Sequence, residues 1–335
     1  MKPFIVAELS GNHNGDINNA IKLIELAKWS GADAVKIQTY TADTITMDHD
    51  SDDFLIKDGL WVGYKLYDLY KEAHTPWEWH EELFNKSKEI GIEIFSSPFD
   101  ETAVDFLESL NAPRYKIASF ELIHHPLIAH VAKTKKPMIM STGMASIEEI
   151  EEAVNVAFNN GCQDLTLLHC VSTYPASIED SNIRTMLDLK ERFPCCKIGL
   201  SDHTLGTTVS IAAVALGAVF IEKHFTFKRS DGGVDSSFSL EPDELKTLCE
   251  DSKDAFLSLG KVNYERNELE KSSMRFRRSI YAAKDIQEGE AFSKDNIKVI
   301  RPGFGIAPKF FPELLLKKSC RSYKLGQPIH TKEIL

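Results

Sequence analysis

The stretch Gly199–Phe225, GLSDHTLGTTVSIAAVALGAVFIEKHF, contains the pattern on which the fold prediction is built. It indicates two short strands joined by an apolar helix, with polar residues at the end of each strand. Side chains alternate across a strand, so Ser201 and His203 point one way, and Glu222 and His224 also share a face. If the strands are parallel neighbours, two imidazoles and a carboxylate converge at the carboxyl end of the sheet, where strand–helix–strand folds bind ligands.

This convergence has two interpretations. One is a metal or substrate centre built from neighbouring strand ends. The other is that each histidine is a structural residue with satisfied hydrogen bonds, which is the commoner role of a single histidine beside an apolar strand. The stretch alone does not separate the two, so the rest of the chain is needed.

Short apolar runs alternate with helical patterns from residue 4 to about residue 260. The predicted strands are Phe4–Glu8, Ala34–Thr39, Ile92–Ser97, Tyr115–Ser119, Met138–Ser141, Leu165–Cys170, Lys197–Ser201 and Val219–His224. The helical patterns include Asn18–Ser30, Glu78–Ile90, Glu101–Leu110, Ile147–Asn160, Thr207–Leu216 and Pro242–Leu259. Eight strands, each followed by a helix, predict an α/β fold, a (β/α)8 TIM barrel over residues 1–260. A doubly wound open sheet is the main alternative.

One connection is too long for an ordinary loop between a strand and a helix. It runs from Thr39 to Trp77, at the carboxyl end of the second strand, and it is rich in Asp and aromatic residues. Aromatic anchors in such a segment favour a substrate-binding wall or a lid over disorder.

The composition is that of an ordinary soluble protein, with 43% apolar and 27% charged residues. A formal net charge of −11 argues against nucleic acid or an anionic membrane as the main partner. The six cysteines are scattered and form no CxxC pair, which indicates reduced thiols. With no signal pattern and no apolar run long enough to span a bilayer, we expect a cytoplasmic protein.

The C-terminal part of the chain differs in character from the barrel region. Residues 261–278 are polar and charged and are interpreted as a linker. The unit that follows, 279–335, has a weak internal repeat, because the pattern around Ile286 recurs around Tyr323 and ends at Ile334. The repeat predicts a compact β-rich module.

Polar residues collect where the predicted strands end. Lys36 and Lys116 lie in otherwise apolar strands, where an unpaired ammonium group is costly. Hydroxyl groups occur at the same ends, in Ser96, Ser97, Ser119, Ser141, Thr142, Ser172 and Ser201. Together they suit a phosphate or carboxylate group. Two alternatives stay open: each serine is also a typical helix N-cap, and either lysine also suits a Schiff-base aldolase.

Two further polar residues stand out from their surroundings. Glu8 closes the apolar first strand, where it is either an acid/base near the lysines or the ion-pair partner of Lys36. Arg301 lies in the loop RPGFGIAP of the C-terminal unit, where it is either a solvated charge or a binding residue on a rigid turn.

Eight motifs, in this order, resemble those of the nonulosonic (sialic) acid synthases: AELSGNHNGD, VKIQTY, FSSPF, YKIASFE, STGM, HCVSTYP, GLSDHTLG and IEKHF. The RPGFGI segment is similar to one in the small antifreeze-protein-like (SAF) module of that family. The resemblance covers nearly the whole chain and implies a (β/α)8 barrel followed by a β-rich SAF domain. It also implies a reaction in which phosphoenolpyruvate condenses with the open-chain aldehyde of an N-acetylated amino sugar and phosphate is released.

The resemblance also implies roles for individual residues. Those expected to hold phosphoenolpyruvate are Lys36, Gln38, Ser97, Lys116, Ser119, Ser141 and Ser201. Those expected to face the sugar are Glu121, Tyr174, Asp235 and, from the other subunit of a domain-swapped homodimer, Arg301. His203 and His224 would bind a divalent metal. Glu8 would be the catalytic acid/base, and Glu222 would orient a metal-bound water.

The ligand types and the family resemblance imply different metals. Two imidazoles alone suit zinc or iron, whereas the family resemblance implies manganese or magnesium. In either case the cation would polarise the aldehyde while C3 of the enol attacks it.

The insertion and two other motifs, CVSTYP and DSSFSL, resemble the pseudaminic acid synthases more than the sialic acid enzymes. The implied substrate is a 2,4-diacetamido-2,4,6-trideoxy sugar, which has a methyl group in place of one hydroxyl. An apolar wall would suit it, because burying an unpaired hydroxyl costs more than burying a methyl. The residues expected in this wall are Phe54, Leu60, Trp61 and Tyr64. N-acetylneuraminate and legionaminate synthesis are the alternatives within the family. A Schiff-base aldolase and a non-catalytic carbohydrate-binding protein are alternatives of other classes.

Overall fold

The computed structural model describes residues 1–333, so Ile334, where the predicted repeat ends, lies outside the described residues. The chain divides into two compact units, Met1–Gly260 and Lys261–Leu335. Each unit has its own cluster of buried apolar residues. Along residues 1–333, every helix falls short of the length or apolar character that a membrane crossing requires.

The first unit is a closed barrel of parallel strands in sequential order. The strands are β1 (Phe4–Glu8), β2 (Ala34–Thr39), β3 (Glu93–Pro98), β4 (Tyr115–Ile117), β5 (Met138–Ser141), β6 (Leu165–Cys170), β7 (Lys197–Asp202) and β8 (Phe220–His224). β1 pairs with β2 on one side and with β8 on the other, where Glu8 lies opposite His224. This pairing closes the sheet, so the predicted (β/α)8 barrel is confirmed and the open sheet is wrong.

A helix follows each strand and packs against the outside of the barrel. These helices are Ile17–Ser30, His80–Ile90, Glu101–Ser109, His125–Lys133, Ile147–Asn159, Thr185–Arg192, Thr208–Ala215 and Pro242–Leu259. The six helical patterns given from the sequence agree with the observed bounds to within about two residues, and His125–Lys133 and Thr185–Arg192 are the two helices without a predicted pattern. β4 ends at Ile117, two residues before its predicted end, because the N–H of Glu121 bonds the carbonyl of Ala118 at 3.1 Å and turns the chain.

The long connection between β2 and the helix His80–Ile90 is ordered by its own secondary structure. It contains a helical turn at Ala42–Ile45 and a helix at Leu66–Ala73. An antiparallel bridge joins Leu55 to Lys65 between them. The segment is therefore a folded insertion at the carboxyl end of β2.

The second unit is built around a small antiparallel sheet of Ser279–Ala282 and Ile297–Ile300. The two copies of the predicted repeat pair with each other, because Ile286 and Tyr323 exchange backbone hydrogen bonds of 2.8 and 2.9 Å. The segment interpreted as a linker contains a short helix, Glu268–Ser273, which begins with reciprocal hydrogen bonds between its capping residue and its third residue.

Candidate active site

The interior of the barrel changes from apolar to polar within two residues on most strands. Its apolar layer consists of Val6, Ala34, Phe95, Ile139, Leu168 and Phe220. Two positions further along, the same strands carry Glu8, Lys36, Ser97, Ser141, Cys170 and Glu222. Residues two apart on a strand face the same side, so these side chains also point inward. They form a polar layer at the carboxyl end of the barrel, next to the apolar layer.

Two lysines and two glutamates form the centre of the polar layer. Lys36 Nζ lies 2.6 Å from Glu8 Oε2 and 3.8 Å from Glu222 Oε2. Lys116 Nζ lies 3.1 Å from Glu222 Oε1. All four side chains are buried, and their pairing avoids the large cost of an isolated charge in the interior. The ion pair of Glu8 with Lys36, one of the two interpretations of Glu8, is therefore present.

The pKa values of the two glutamates are displaced in opposite directions. Burial raises the pKa of Glu8, and the charge of Glu222 adds to the rise, while Lys36 opposes it. Burial also favours a higher pKa at Glu222, but Lys116 and Lys36 outweigh it and lower the pKa to about 2. Glu8 is thus the group more easily protonated, and Glu222 the permanent anion, a division typical of acid/base sites.

Serine hydroxyls surround the charged groups. Lys36 donates to Ser97 Oγ at 3.3 Å, and Ser201 donates to Glu222 Oε1 at 3.0 Å. Ser141 Oγ is buried without a hydrogen-bond partner. A buried hydroxyl without a partner is free to bond a ligand group that enters the polar layer. The helix that begins at Ile147 is capped by Ser146, so Ser141 is not its N-cap.

Two of the predicted strand-end hydroxyls do not face the interior. Ser96 bonds Thr39 Oγ1 at 2.6 Å, and Thr142 bonds a backbone carbonyl at 3.2 Å. Each is the neighbour of an inward-facing serine, Ser97 or Ser141, and therefore points the other way. The remaining predicted members lie at the mouth: Gln38 donates to Glu8 Oε1 at 2.9 Å, and Ser119 Oγ accepts the N–H of the residue after Thr142 at 3.2 Å.

The structure brings the two predicted metal ligands together. The ring centroids of His203 and His224 are 5.4 Å apart. His203 Nδ1 donates to the carbonyl of Val171 at 2.9 Å, which leaves the lone pair on Nε2. His224 Nδ1 is buried without a hydrogen-bond partner, 3.8 Å from Asp235 Oδ2. Burial, reinforced by the neighbouring cations, lowers the pKa of His224 well below its usual range.

These features fit a divalent cation held by few protein ligands. Within residues 1–333, no group of three or more His, Cys, Asp and Glu side chains is arranged to hold an ion. A metal site here would therefore consist of His203 and His224, with its other positions filled by water and substrate. Neutral imidazole is the metal-binding form, and the free lone pair of His203 and the unpartnered nitrogen of His224 suit that role.

Aromatic rings form the wall next to the two histidines. The ring of Tyr174 lies 4.3 Å from that of His203 and 5.6 Å from that of Trp61, measured between centroids. Phe238 packs against His224 at 4.9 Å. The Trp61 N–H donates to the carbonyl of the residue before Asp235 at 3.0 Å, so the insertion is bonded to the loop after β8.

The other members of the predicted apolar wall lie away from these rings. Phe54 packs against His49 with a centroid separation of 5.4 Å. Leu60 and Tyr64 are 45% and 40% exposed. Of the four residues expected there, Trp61 is the one that contacts Tyr174. The wall is therefore smaller than predicted, because the insertion turns its hairpin toward solvent.

Two acids predicted to face the sugar have altered pKa values. Glu121 Oε2 is buried without a hydrogen-bond partner, and burial raises the pKa of Glu121 to about 7. Burial raises the pKa of Asp235 to about 6, although Ser10 donates to its Oδ2. Arg301 belongs to the other unit, where it is exposed directly after the strand Ile297–Ile300.

Sequence reasoning did not assign a function to three residues of the site. Cys170 is buried, with its Sγ 3.8 Å from His203 Nδ1, and it raises the pKa of His203 against the effect of burial. Ser10 bonds Asp235 across most of the chain length. Lys223 bonds Asp202 behind the histidines at 2.9 Å. Strand alternation identifies the inward position of Cys170. The contact of Lys223 with Asp202 follows from the register of β7 and β8, and the contact of Ser10 with Asp235 requires the closed barrel.

Comparison with known proteins assigns the chain to a group of enzymes. A model of the NeuB family matches residues 23–264, and an SAF domain model matches residues 277–335. The chain is 46% identical to the pseudaminic acid synthase of Campylobacter jejuni, over 98% of this chain and 95% of that protein. It is 40% identical to the N,N'-diacetyllegionaminic acid synthase of C. jejuni, over 96% and 97%. The crystal structure of the spore coat polysaccharide biosynthesis protein SpsE of Bacillus subtilis matches with a TM-score of 0.67 and 36% identity, over 99% of this chain and 95% of that one.

Proposed function

Because the chain belongs to the NeuB family, we propose that it condenses phosphoenolpyruvate with 2,4-diacetamido-2,4,6-trideoxy-L-altrose to give pseudaminic acid and phosphate. The observation that carries the proposal is the buried layer of paired lysines and hydroxyls next to two converging imidazoles. Similarity to a pseudaminic acid synthase over 98% of the chain supports the choice of sugar.

The polar layer supplies the site for phosphoenolpyruvate. Lys36 and Lys116 are the cations, and the unpartnered hydroxyl of Ser141 is a ready hydrogen-bond donor. In the free protein, Glu222 pairs with both lysines and Glu8 also pairs with Lys36, so the two carboxylates hold the lysines in place. When an anionic substrate arrives, the lysines exchange part of this pairing for the phosphate and carboxylate groups. This places Glu222 as the charge partner of the lysines, in addition to any part in orienting water.

The acid/base step falls to Glu8. C3 of phosphoenolpyruvate forms a bond to the aldehyde carbon, and the aldehyde oxygen takes a proton to become a hydroxyl group. Glu8 lies beside Lys36 in the polar layer and has a raised pKa, so it can hold the proton that this oxygen receives. Water then adds at C2 and loses one proton, which leaves a hydroxyl and the phosphate on the same carbon. Phosphate leaves with the electron pair of its bond to C2 while the hydroxyl gives up its proton, to the departing phosphate or to solvent, and becomes the C2 carbonyl. A divalent cation on His203 and His224, manganese or magnesium, would supply the Lewis acid that polarises the aldehyde.

The sugar region is assigned to Glu121, Tyr174 and Asp235 of one chain and Arg301 of a second chain in a domain-swapped homodimer. The two units differ in charge, which allows electrostatic attraction between them, within one chain or between two chains. The C-terminal unit has more Lys and Arg than Asp and Glu, although the whole chain carries −11, so the barrel unit is the acidic one. Opposite charges on the two units favour their association. Six cysteines without a disulfide suit the cytoplasm as the location.

A substrate panel tests this proposal. Each candidate amino sugar is incubated with phosphoenolpyruvate and Mn²⁺, and both phosphate release and the nonulosonic acid are measured, the latter by mass. The diacetamido-trideoxy-altrose should be turned over with the highest kcat/KM. Preference for N-acetylmannosamine, or for the sugar precursor of legionaminic acid, would overturn the choice of sugar.

The lowered pKa of Lys116, caused by burial, is the one feature that favours a Schiff-base aldolase. Borohydride reduction in the presence of substrate separates the two mechanisms. We expect no covalent labelling of Lys36 or Lys116, and we expect chelation of divalent cations to abolish turnover. Labelling together with resistance to chelation would support the aldolase. Sugar binding without phosphate release would support a carbohydrate-binding protein.

A further inference from the structure

Ser10 links the two halves of the candidate active site through its side chain. It lies two residues after β1 and is buried. Its hydroxyl donates to Asp235 Oδ2 and accepts a long hydrogen bond of 3.4 Å from Gln38 Nε2. Gln38 also donates to Glu8 Oε1 at 2.9 Å. A continuous set of contacts therefore runs from the acid/base region to the region assigned to the sugar.

The backbone conformation of Ser10 indicates that its side chain has a functional role. Its φ is +47°, in the left-handed region that glycine adopts at no steric cost. A residue with a Cβ is destabilised there by about 1 kcal/mol. Such strain concentrates at functional sites, where the surrounding structure holds it in place. The hydroxyl of Ser10 is the group that a glycine at this position would lack.

Other hydrogen bonds hold the loop after β8, but they act on its backbone or on other side chains. Asn12 donates to the carbonyl of Phe225 and to Ser239 Oγ, both at 2.9 Å. Ser239 in turn donates to the backbone carbonyl of Asp235 at 2.7 Å. The carboxylate of Asp235 receives its hydrogen bond from Ser10, and its Oδ2 lies 3.8 Å from Nδ1 of the His224 ring, beyond hydrogen-bond distance.

We infer that Ser10 is a positioning residue that sets the orientation of the Asp235 carboxylate for the amino sugar. The χ2 rotation of an aspartate is broad, so a carboxylate without a fixed hydrogen bond samples many orientations. The bond from Ser10 holds Oδ2 and so determines where Oδ1 points. This inference rests on the proposed function only in taking Asp235 as a sugar-facing residue.

Two substitutions separate the hydroxyl from the backbone strain. Ser10→Gly removes both, whereas Ser10→Ala removes the hydroxyl and keeps the strain. Each should raise the KM for the amino sugar about tenfold, since a hydrogen bond to a charged group is worth at least that factor. Each should leave the KM for phosphoenolpyruvate within about twofold. Ser10→Gly should have a higher Tm than Ser10→Ala, because it is free of the strain.

A double-mutant cycle identifies Asp235 as the group through which Ser10 acts. Sugar affinity is measured by calorimetry in wild type, Ser10→Gly, Asp235→Ala and the double variant. In the Asp235→Ala background, the serine substitution should change sugar affinity by less than about twofold. Full persistence of its effect there, or equal changes in the affinities for sugar and phosphoenolpyruvate, would overturn the inference. Wild-type phosphate release tests the proposed function alone, so the two failures are distinguishable.

Discussion

Glu8 and Glu222 lie on strands that pair with each other and carry the same functional group, but their neighbours give them different chemistry. Glu8 meets one lysine and a neighbouring anion, and burial dominates, so its pKa rises. Glu222 meets two lysines and a serine hydroxyl, and its pKa falls to about 2. At the scale of single residues, function therefore depends on which charges the barrel places within a few ångströms.

The pKa of Glu121, raised to about 7 by burial, predicts a pH dependence of sugar use. The ionised carboxylate accepts hydrogen bonds from sugar hydroxyl and amide groups, whereas the protonated form has less acceptor capacity. We expect kcat/KM for the sugar to rise as the pH increases through 7, since this parameter reports the free enzyme. Glu121→Gln should remove that step from the pH profile. A step of unchanged size in the variant would assign it to another group.

His203 should be required for metal binding and not for folding. His203→Ala is expected to abolish Mn²⁺ binding, measured by equilibrium dialysis, together with turnover. Its far-UV circular dichroism should match that of wild type, because the ring lies at the mouth and outside the hydrophobic core clusters. His49→Ala, in the exposed insertion, is a matched control that should retain the metal. Loss of folded structure in His203→Ala would support a structural role for the histidine.

Among the elements, β7 and β8 position the two histidines, since His203 directly follows β7 and His224 ends β8, and a second buried ion pair joins these two strands. Asp202 and Lys223 lie opposite each other in the strand register, and their charged groups are 2.9 Å apart. Asp202 also accepts hydrogen bonds from Ser210 at 2.6 Å and from the backbone of Thr204 at 2.9 Å. These contacts hold the two strand ends in the register that brings the imidazoles together.

Removing one partner of this pair should destabilise the barrel strongly. Lys223→Met leaves the Asp202 carboxylate buried and unpaired, which costs about 3–5 kcal/mol in comparable cases. Urea denaturation measures the change, and Lys228→Met, at an exposed lysine just after β8, serves as the control with a change within about 0.5 kcal/mol. Equal stability of the two variants would mean that the pair contributes little.

The insertion depends on one aromatic residue for its attachment to the mouth. Trp61→Ala removes both the packing on Tyr174 and the hydrogen bond to the loop after β8. We expect a higher KM for the sugar and faster cleavage by trypsin after Lys57, which is exposed. Trp61→Phe keeps the ring and loses the N–H, so it should show an intermediate effect. Unchanged cleavage in Trp61→Ala would show that other contacts hold the insertion.

At the scale of the whole molecule, the proposal requires residues from two chains in one active site. A mixture of two inactive variants tests it. In a swapped dimer of His203→Ala and Arg301→Ala, one site combines an intact barrel with an intact arginine. Refolding the two variants together should therefore restore about a quarter of wild-type activity, because half of the dimers are mixed and each has one complete site. Activity that stays absent would place Arg301 and the barrel site in the same chain.

Much of the fold and part of the candidate site follow from local sequence patterns. The alternation of apolar strands and helices predicted the barrel, and the two-residue period predicted that His203 and Ser201 share a face with each other and that Glu222 and His224 do likewise. These features depend on residues that are close in sequence, so a short segment is enough to predict them. The order of the motifs likewise indicated the family.

Contacts between distant segments were decided by the tertiary structure. Ser10 and Asp235 are 225 positions apart in the chain, and they meet because β1 pairs with β8 when the barrel closes. The contacts of the insertion were also not determined by its sequence pattern. Its composition predicted a wall of four residues, but in the folded protein Trp61 packs on Tyr174 and Leu60 is exposed. The physical reason is that periodicity is a property of short segments, while strand register and side-chain packing are properties of the closed sheet.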